Sequence, residues 1–334
     1  MNKIWKFCAK HSNAVLIAFA VIALVYPFIA NTGYLLRLGI TCLMYASLAL
    51  SMNLIIGCLG QMTMAHSAFW GIGAYTAAII STRFGVNSVG TFIIAMIITG
   101  AFSLLLGLPV LKLKGYYLTV VTLGFCEIVR LVELNWTSLT RGALGIMNIP
   151  ALNAFGVYLK NKQMIFYVAL LLLLLTIIVI RNILDSPHGL SVYAIRDDEI
   201  AAASIGIDVF RNKIMAFVVS GILAGLMGAF YAHYMGYIDS TTYTTGQSMT
   251  FAIFAIFGGL GSIPGAIGGA IFLTVIPEVL RFLQRYRTFL YGIVIVLITL
   301  FRPEGILGNV NFRYLKQRLN MDKEEVTADE CSES

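Results

Sequence analysis

The sequence predicts an all-α polytopic membrane protein with about eight to ten transmembrane helices, some of them broken or re-entrant. Of its 334 residues, 59% are hydrophobic and only 12% are charged, and the mean hydropathy is +0.85. An average soluble domain has about 25% charged residues. A bilayer core of about 30 Å needs about 20 apolar residues per helix. The length therefore fits eight to ten spans with short loops, and function must lie mostly inside the membrane.

The charge pattern fits membrane orientation better than nucleic-acid binding. The formal net charge is +7, but Lys and Arg collect near the ends of apolar stretches, where they orient the spans. We therefore expect no nucleic-acid partner. The five cysteines are scattered without the spacing of metal ligands, so we read them as small packing residues and expect no metal site.

The N-terminal part is expected to enter the membrane directly. Residues 1–12 are basic and predicted to be cytoplasmic, and a transmembrane domain is predicted over 13–302. The apolar stretch 14–30 lacks a convincing signal-peptide cleavage site after it, so it is expected to be an uncleaved first span. A second span is predicted over 34–56.

Residues 57–75 are unusual for a lipid-facing helix because they combine four glycines with several polar side chains. Unpaired polar groups in hydrocarbon cost several kcal/mol each. This segment should therefore face protein or a water-filled path. Two interpretations stay open, namely helix packing alone and packing combined with the lining of a pathway.

The next two predicted spans, 88–110 and 116–134, flank a basic corner that we place inside. The second span carries Glu127, Arg130 and Glu133 at positions i, i+3 and i+6. Glu127 and Arg130 face each other on a helix and can pair. Ionisable residues in a span are functional candidates, but a structural ion pair near the interface is favoured over a proton relay.

Residues 135–162 are moderately polar and are predicted to form an external loop or a short surface helix. The span 164–180 is almost uniformly apolar, which indicates a lipid-facing position without a part in transport. A polar segment, 182–213, follows before the next span, 214–235. Because it is charged and lies between apolar spans, the polar segment must lie outside the membrane, and we interpret it as the place where another protein acts.

The C-terminal third repeats the glycine pattern. Gly258, Gly261 and Pro264 interrupt the stretch 248–281, so two short helices joined by a bend are expected. Gly57 and Gly60 interrupt the first half in a similar way, and paired breaks can mark a pathway between internal repeats.

A topology follows from counting crossings from a cytoplasmic N-terminus. Treating 248–281 as two crossings gives ten spans, the last over 289–301, and puts the basic cluster at 313–318 in the cytoplasm. A re-entrant hairpin would give eight or nine spans. Residues 303–334 are expected to be a cytoplasmic tail that is acidic and disordered at its end.

Several catalytic and nucleotide-binding motifs are absent from the sequence. It contains no phosphate-binding loop with the spacing of nucleotide-hydrolysing enzymes, no zinc-protease motif, no Cys-x-x-Cys and no Gly-x-Ser-x-Gly. The expectation is a transport protein without its own nucleotide site or cofactor, and not an enzyme.

Five ordered motifs resemble one family. They are GQMTMAHSAFWGIGAY at 60–75, LKGYYLTVVTLGFCEIVR at 113–130, LTRGALGI at 139–146, RDDEIAAASIGI at 196–207 and GGLGSIPGA at 258–266. This set is similar to permease subunits of ABC importers for branched-chain amino acids, the LivM type. The chain departs from the pattern at two positions. Arg141 stands where the family usually has glycine, and Ala65 stands where the family has the glycine that precedes the histidine.

The resemblance implies the partners and the energy source. They would be a sister permease subunit forming a heterodimer, two ABC ATPase subunits that use ATP, an extracytoplasmic substrate-binding protein and the lipid of a bacterial-type inner membrane. It also implies a coupling helix in the polar segment. The residues expected to dock on an ATPase are Arg196, Asp197, Asp198, Glu199, Ala202, Ala203 and Gly206. Of these, Ala202, Ala203 and Gly206, with Ala201, would give a small surface for close approach.

For the substrate we expect a pathway with neutral hydrogen-bonding groups beside apolar surface. Its predicted lining is Gln61, His66, Ser67, Tyr75, Thr119 and Thr122. Such a lining suits branched-chain or similar small amino acids moved inward by alternating access. It also suits urea or short amides, which related permeases carry. A third possibility, from a different class, is an ion-coupled secondary transporter that uses Glu127, Arg130 and Glu133 as a relay.

Overall fold

The structure, a computed structural model, describes residues 23–28, 32–113, 115–154, 157–158 and 161–279, with three single helical positions at 289, 292 and 296. It is almost entirely helical, as predicted. Four of its helices are long and apolar enough to cross a membrane, and a further pair forms a bent unit. The predicted terminus 1–12, most of the first span 14–30, the last span 289–301 and the tail 303–334 lie outside the described residues.

The helices follow the predicted spans closely. In chain order the elements are α1 (Gly33–Asn53), a π-helical turn (Leu54–Cys58), α2 (His66–Phe84), α3 (Ser88–Val110), α4 (Tyr116–Asn135), α5 (Thr137–Thr140), β1 (Asn153–Ala154), β2 (Val157–Tyr158), α6 (Lys162–Asp185), α7 (Pro187–Asp197), α8 (Glu199–Ser204), α9 (Val209–Met235), α10 (Thr245–Gly258) and α11 (Ile263–Val279). The strands β1 and β2, each two residues long, pair in an antiparallel arrangement.

Helix α9 lies at the centre and packs against α2 and α3 through small residues. A Cβ atom on Gly225 would lie only 2.6 Å from the Cβ atom of Thr99, and a Cβ atom on Gly73 would overlap the backbone of Gly225. Small residues let helix backbones approach this closely in membranes, where packing rather than the hydrophobic effect holds helices together. These glycines therefore fix the core of the bundle.

Helix α6 packs on α1 with one face, so the predicted lipid-facing position applies only to its outer face. Phe166, Leu173 and Ile180 are buried on its inner face, and Gly39 of α1 leaves room for the Phe166 ring. The outer face exposes leucines, Leu171 among them. The sequence did not indicate the difference between the two faces, because the composition of a uniformly apolar helix does not show which side chains contact protein and which contact lipid.

The predicted break in 248–281 is confirmed. Helices α10 and α11 meet at an angle of 120°, within the predicted bend. Directly after α5, Arg141 has a φ of 63°, a left-handed conformation that favours glycine. The structure thus explains why glycine suits this position in the family pattern.

Candidate functional site

The first glycine break lies between α1 and α2. Helix α1 runs into the π-helical turn Leu54–Cys58, and the chain then reverses at Gly60, which has a φ of 74°. The backbone N–H of Gln61 donates to the carbonyl oxygen of Ile55 at 3.1 Å, and this hydrogen bond closes the turn. Short π-helical turns are frequent at functional sites.

Helix α4 holds the loop that follows this break. The backbone N–H of Met64 donates to Thr122 Oγ1 at 3.0 Å, and Thr119 Oγ1 donates to the carbonyl oxygen of Met62 at 3.1 Å. Thr122 is fully buried. In this conformation both threonines fix the loop, and their role as pathway lining stays a prediction.

Two further predicted pathway residues join α2 to its neighbours. His66 Nε2 lies 2.8 Å from Ser51 Oγ of α1, and Ser67 Oγ donates to the carbonyl oxygen of Thr244 at 2.8 Å. The Ser67 amide donates to Ser248 Oγ of α10, also at 2.8 Å. These contacts tie α2 to α1 and α10, and the role of His66 and Ser67 as pathway lining stays a prediction.

The second glycine break packs directly on the first. Asn53 is buried at the end of α1, and its Oδ1 accepts a hydrogen bond from the backbone N–H of Gly261 at 3.0 Å. Its Nδ2 donates to the carbonyl oxygen of Ser262 at 3.1 Å. A Cβ atom on Gly57 would overlap the backbone nitrogen of Gly261. Two breaks that are about 200 residues apart in sequence thus form one unit.

Arg196 connects the polar segment to both breaks. A Cβ atom on Gly60 would lie 3.0 Å from Arg196 Cγ, and one on Gly261 would lie 3.1 Å from Arg196 Nη1. Within the described part of the chain, the exposed Arg196 guanidinium makes no hydrogen bond or ion pair. We call Asn53, Gly57, Gly60, Arg196, Gly261 and Ser262 the glycine junction. The Arg196 side chain therefore lies against both breaks.

The polar segment contains two short helices, α7 and α8, which are separated by one residue with an extended backbone. Asp198 separates them, and its carboxylate caps α8 by accepting from the amides of Ile200 and Ala201 at 2.7 and 3.0 Å. These backbone donors, Ala201 first, hold the pKa of Asp198 below its usual value. The cap fixes where α8 begins.

Glu199 and Lys213 tie this helix to α9. Lys213 Nζ lies 2.9 Å from Glu199 Oε2, and the Lys213 side chain is only 2% exposed whereas that of Glu199 is 33% exposed. Sequence reasoning assigned Glu199 to an external partner and missed Lys213. A lysine near the start of an apolar span, close to a charged segment, was the available signal.

The exposed surface of α8 is more apolar than predicted. Ala202 is buried within its own chain, so the small residues do not share one exposed surface. Ala203 and Gly206 are exposed, and Ile200 and Ile205 are 76% and 75% exposed. The exposed surface of α8 and its C-terminal end thus includes two large apolar side chains.

Glu127 and Arg130 form the ion pair expected from their spacing, with Oε2 and Nε 2.7 Å apart. Thr245 donates to the other Glu127 oxygen at 3.2 Å. Glu133 is buried and takes no part in this pair, and among the described residues no hydrogen bonds connect the three into a relay. No group of three potential metal ligands occurs in the same part of the chain.

The apolar spans define a multi-pass membrane protein. A family model described as "Branched-chain amino acid transport system / permease component" matches residues 34–299. The chain belongs to this family.

The most similar relatives include the high-affinity branched-chain amino acid transport system permease protein LivM of Salmonella typhimurium. The two chains are 34% identical over 315 residues, which covers 87% of this chain and 74% of the relative. LivH of the same organism is 24% identical over 288 residues, covering 79% and 91%. The autoinducer 2 import system permease protein LsrC of Escherichia coli O9:H4 is 31% identical over 197 residues, 54% of each chain. No solved structure gives a significant match.

Proposed function

We propose that this permease carries branched-chain or similar small amino acids inward by alternating access, driven by ATP that separate ATPase subunits hydrolyse. Its partners would be a sister permease, two ATPase subunits and an extracytoplasmic binding protein. The chain itself would bind no ATP or other cofactor, because its sequence has no phosphate-binding loop. Both termini and the polar segment would face the cytoplasm, as the distribution of Lys and Arg favours.

The observation that carries this proposal is the contact of Arg196 with both glycine breaks. An ATPase docked on the polar segment would move α7, and Arg196 would transmit the shift to Gly60 and Gly261. These glycines end or bend helices that contact the predicted pathway residues. Energy from nucleotide binding would thus reach the transmembrane helices through a few contacts.

The docking surface would be the exposed pair Ile200 and Ile205, with the acidic side chain of Asp197 at its edge. Interfaces depend on a few apolar anchors, each contributing about 2 kcal/mol or more. The role of Glu199 differs from that of the isoleucine pair, because its carboxylate already forms an ion pair with Lys213 of the same chain. A charge change at Glu199 would therefore disturb the chain's own fold as well as docking.

The test uses the complete transporter in proteoliposomes with the variants Ile200→Asp and Ile205→Asp. We expect substrate-stimulated ATP hydrolysis and leucine uptake to fall together by about tenfold or more, since a charge in an apolar interface costs several kcal/mol. Membrane insertion should not change. The matched control is Asp185→Lys, a charge change on the same segment at a side chain that is 60% exposed.

Two outcomes would count against the proposal. Wild-type coupling in both isoleucine variants would remove the docking surface. Uptake by the purified single chain under an ion gradient, without ATPase subunits, would favour the ion-coupled alternative. Competition by urea or acetamide, with none by leucine, would instead shift the substrate to short amides.

A further inference from the structure

Four buried polar groups near the C-terminal end of α9 have no hydrogen-bond partner within the described part of the chain. They are both carboxylate oxygens of Glu133, the hydroxyl groups of Tyr75 and Tyr243, and the indole N–H of Trp70. All four side chains are at most 4% exposed. More than nine in ten buried polar groups find a partner, so four such groups in one cluster are suited to receive a polar ligand.

The groups converge on one point of α2. A Cβ atom on Gly71 would lie 2.6 Å from Glu133 Oε1 and 3.0 Å from Tyr243 Cγ. The carboxylate and the tyrosine ring therefore reach the same patch of backbone. Tyr75 follows one turn later, with its ring centroid 5.9 Å from that of Tyr243.

Three aromatic rings pack together beside the shared contact point of Glu133 and Tyr243 on α2. The Tyr243 ring lies 4.9 Å from Trp70, and Tyr231 of α9 lies 4.9 Å from Trp70 and 6.3 Å from Tyr243 between ring centroids. Two of the Tyr243 contacts, with Trp70 and Tyr231, are edge-to-face. Aromatic faces attract cations, and cages of such rings bind ammonium groups.

The cluster lacks a cation of its own. The nearest arginine on the same helix, Arg130, is paired with Glu127 at 2.7 Å. No lysine or arginine forms an ion pair with Glu133 among the described residues. A carboxylate beside aromatic faces, without a positive partner, is complementary to an ammonium ion that comes from outside the chain.

We propose that Glu133, Trp70, Tyr75, Tyr231 and Tyr243 bind the ammonium group of a zwitterionic amino acid. The unpaired tyrosine hydroxyl and indole N–H groups are donors for the carboxylate of the same ligand. The inference rests on the proposed function and names the chemical group that the chain recognises. Because the groups are buried in this conformation, the ligand reaches them in another state of the transport cycle.

The position of the cluster suits recognition during entry. Tyr231 lies near the C-terminal end of α9, whereas Lys213, which holds the polar segment, lies at its start. The cluster and the glycine junction are therefore at opposite ends of a 27-residue helix. In the proposed orientation the cluster is on the side from which substrate arrives. Tyr75, predicted from sequence as a pathway residue, belongs to it.

The test measures binding and uptake with the assembled transporter carrying Glu133→Gln. This change keeps the size of the side chain and removes its charge. We expect equilibrium binding of L-leucine to detergent-purified transporter, without the binding protein, to weaken by tenfold or more, and the apparent KM for uptake to rise. The analogue 4-methylpentanoate, which lacks the ammonium group, should bind neither protein. Asp185→Asn, which removes a 60% exposed carboxylate at the end of α6, is the control and should bind leucine as the wild type does.

A purely structural carboxyl gives a different result. If Glu133 is only a neutral packing group, Glu133→Gln binds and transports leucine like the wild type, which overturns the proposal. Equal binding of leucine and 4-methylpentanoate by the wild type overturns it as well. If Glu133→Gln does not fold, Tyr75→Phe, which removes one hydroxyl, should still weaken binding severalfold. Wild-type protein that shows no ATP-driven uptake at all would instead contradict the proposed function.

Discussion

The ion pair between Lys213 and Glu199 predicts unequal losses of stability when one or the other of the two residues is replaced. At 2.9 Å and an effective dielectric constant of about 20, the attraction between the charges is about 6 kcal/mol before desolvation is subtracted. The lysine is 2% exposed and the glutamate 33% exposed. Loss of either partner therefore leaves the other in a very different environment.

Glu199→Gln should destabilise the chain by roughly 2–4 kcal/mol, because it leaves a buried ammonium group without a counter-charge. Lys213→Met should cost no more than about 1.5 kcal/mol, since the Glu199 side chain is already 33% exposed to water and methionine fills the volume. Equilibrium unfolding in detergent would measure both, and hydrogen exchange would show whether α8 detaches in Glu199→Gln.

The pair Arg181–Asp185 serves as the control. Its side chains are 40% and 60% exposed, with Nε and Oδ2 3.4 Å apart. Asp185→Asn should cost less than about 1 kcal/mol, as for other surface pairs. The reasoning would be refuted if Lys213→Met cost as much as Glu199→Gln, or if Asp185→Asn matched them.

Two further predictions concern local structure. Because backbone donors lower the pKa of Asp198, its cap on α8 is present at neutral pH and is lost only as the pH falls through that lowered value. Hydrogen-exchange protection of the Ile200 amide should thus persist at pH 5 and fall in stronger acid, and loss near pH 6 would contradict this assignment. Arg141→Gly should raise the stability by up to about 1 kcal/mol in thermal unfolding, since glycine adopts a φ of 63° without strain. Asn148→Gly, at a φ of 58°, should gain less because asparagine tolerates this conformation; an equal gain would argue against strain at Arg141.

Much of the fold followed from local sequence. The apolar stretch 88–110 gave the bounds of α3, and the glycines and proline near 258–265 gave the bend before α11. The spacing of Glu127 and Arg130 gave their ion pair. These features depend on helical periodicity or backbone propensity within a few residues, which a single sequence contains.

The contacts that assemble the site could not be predicted in this way. Asn53 is a polar residue in an apolar span, and nothing near it in the sequence indicates that it has a partner at Gly261. Arg196 was assigned to the docking surface, and its contact with two glycines depends on how four segments meet. Such pairings arise from tertiary packing, so residue type and spacing indicated the segments but not their contacts.

The hydrogen bonds of Asn53 also bear on how the chain is made. Its amide is buried near the end of α1, and both partners belong to residues synthesised more than 200 positions later. Until α10 and α11 have inserted, this amide must remain in contact with water, the insertion machinery or a temporary partner, because an unpaired amide in hydrocarbon costs several kcal/mol. A chain that stops before residue 261 cannot complete the fold of its first third. Assembly of the permease is thus a late event in its biogenesis, and quality control could recognise incomplete chains by this one exposed side chain.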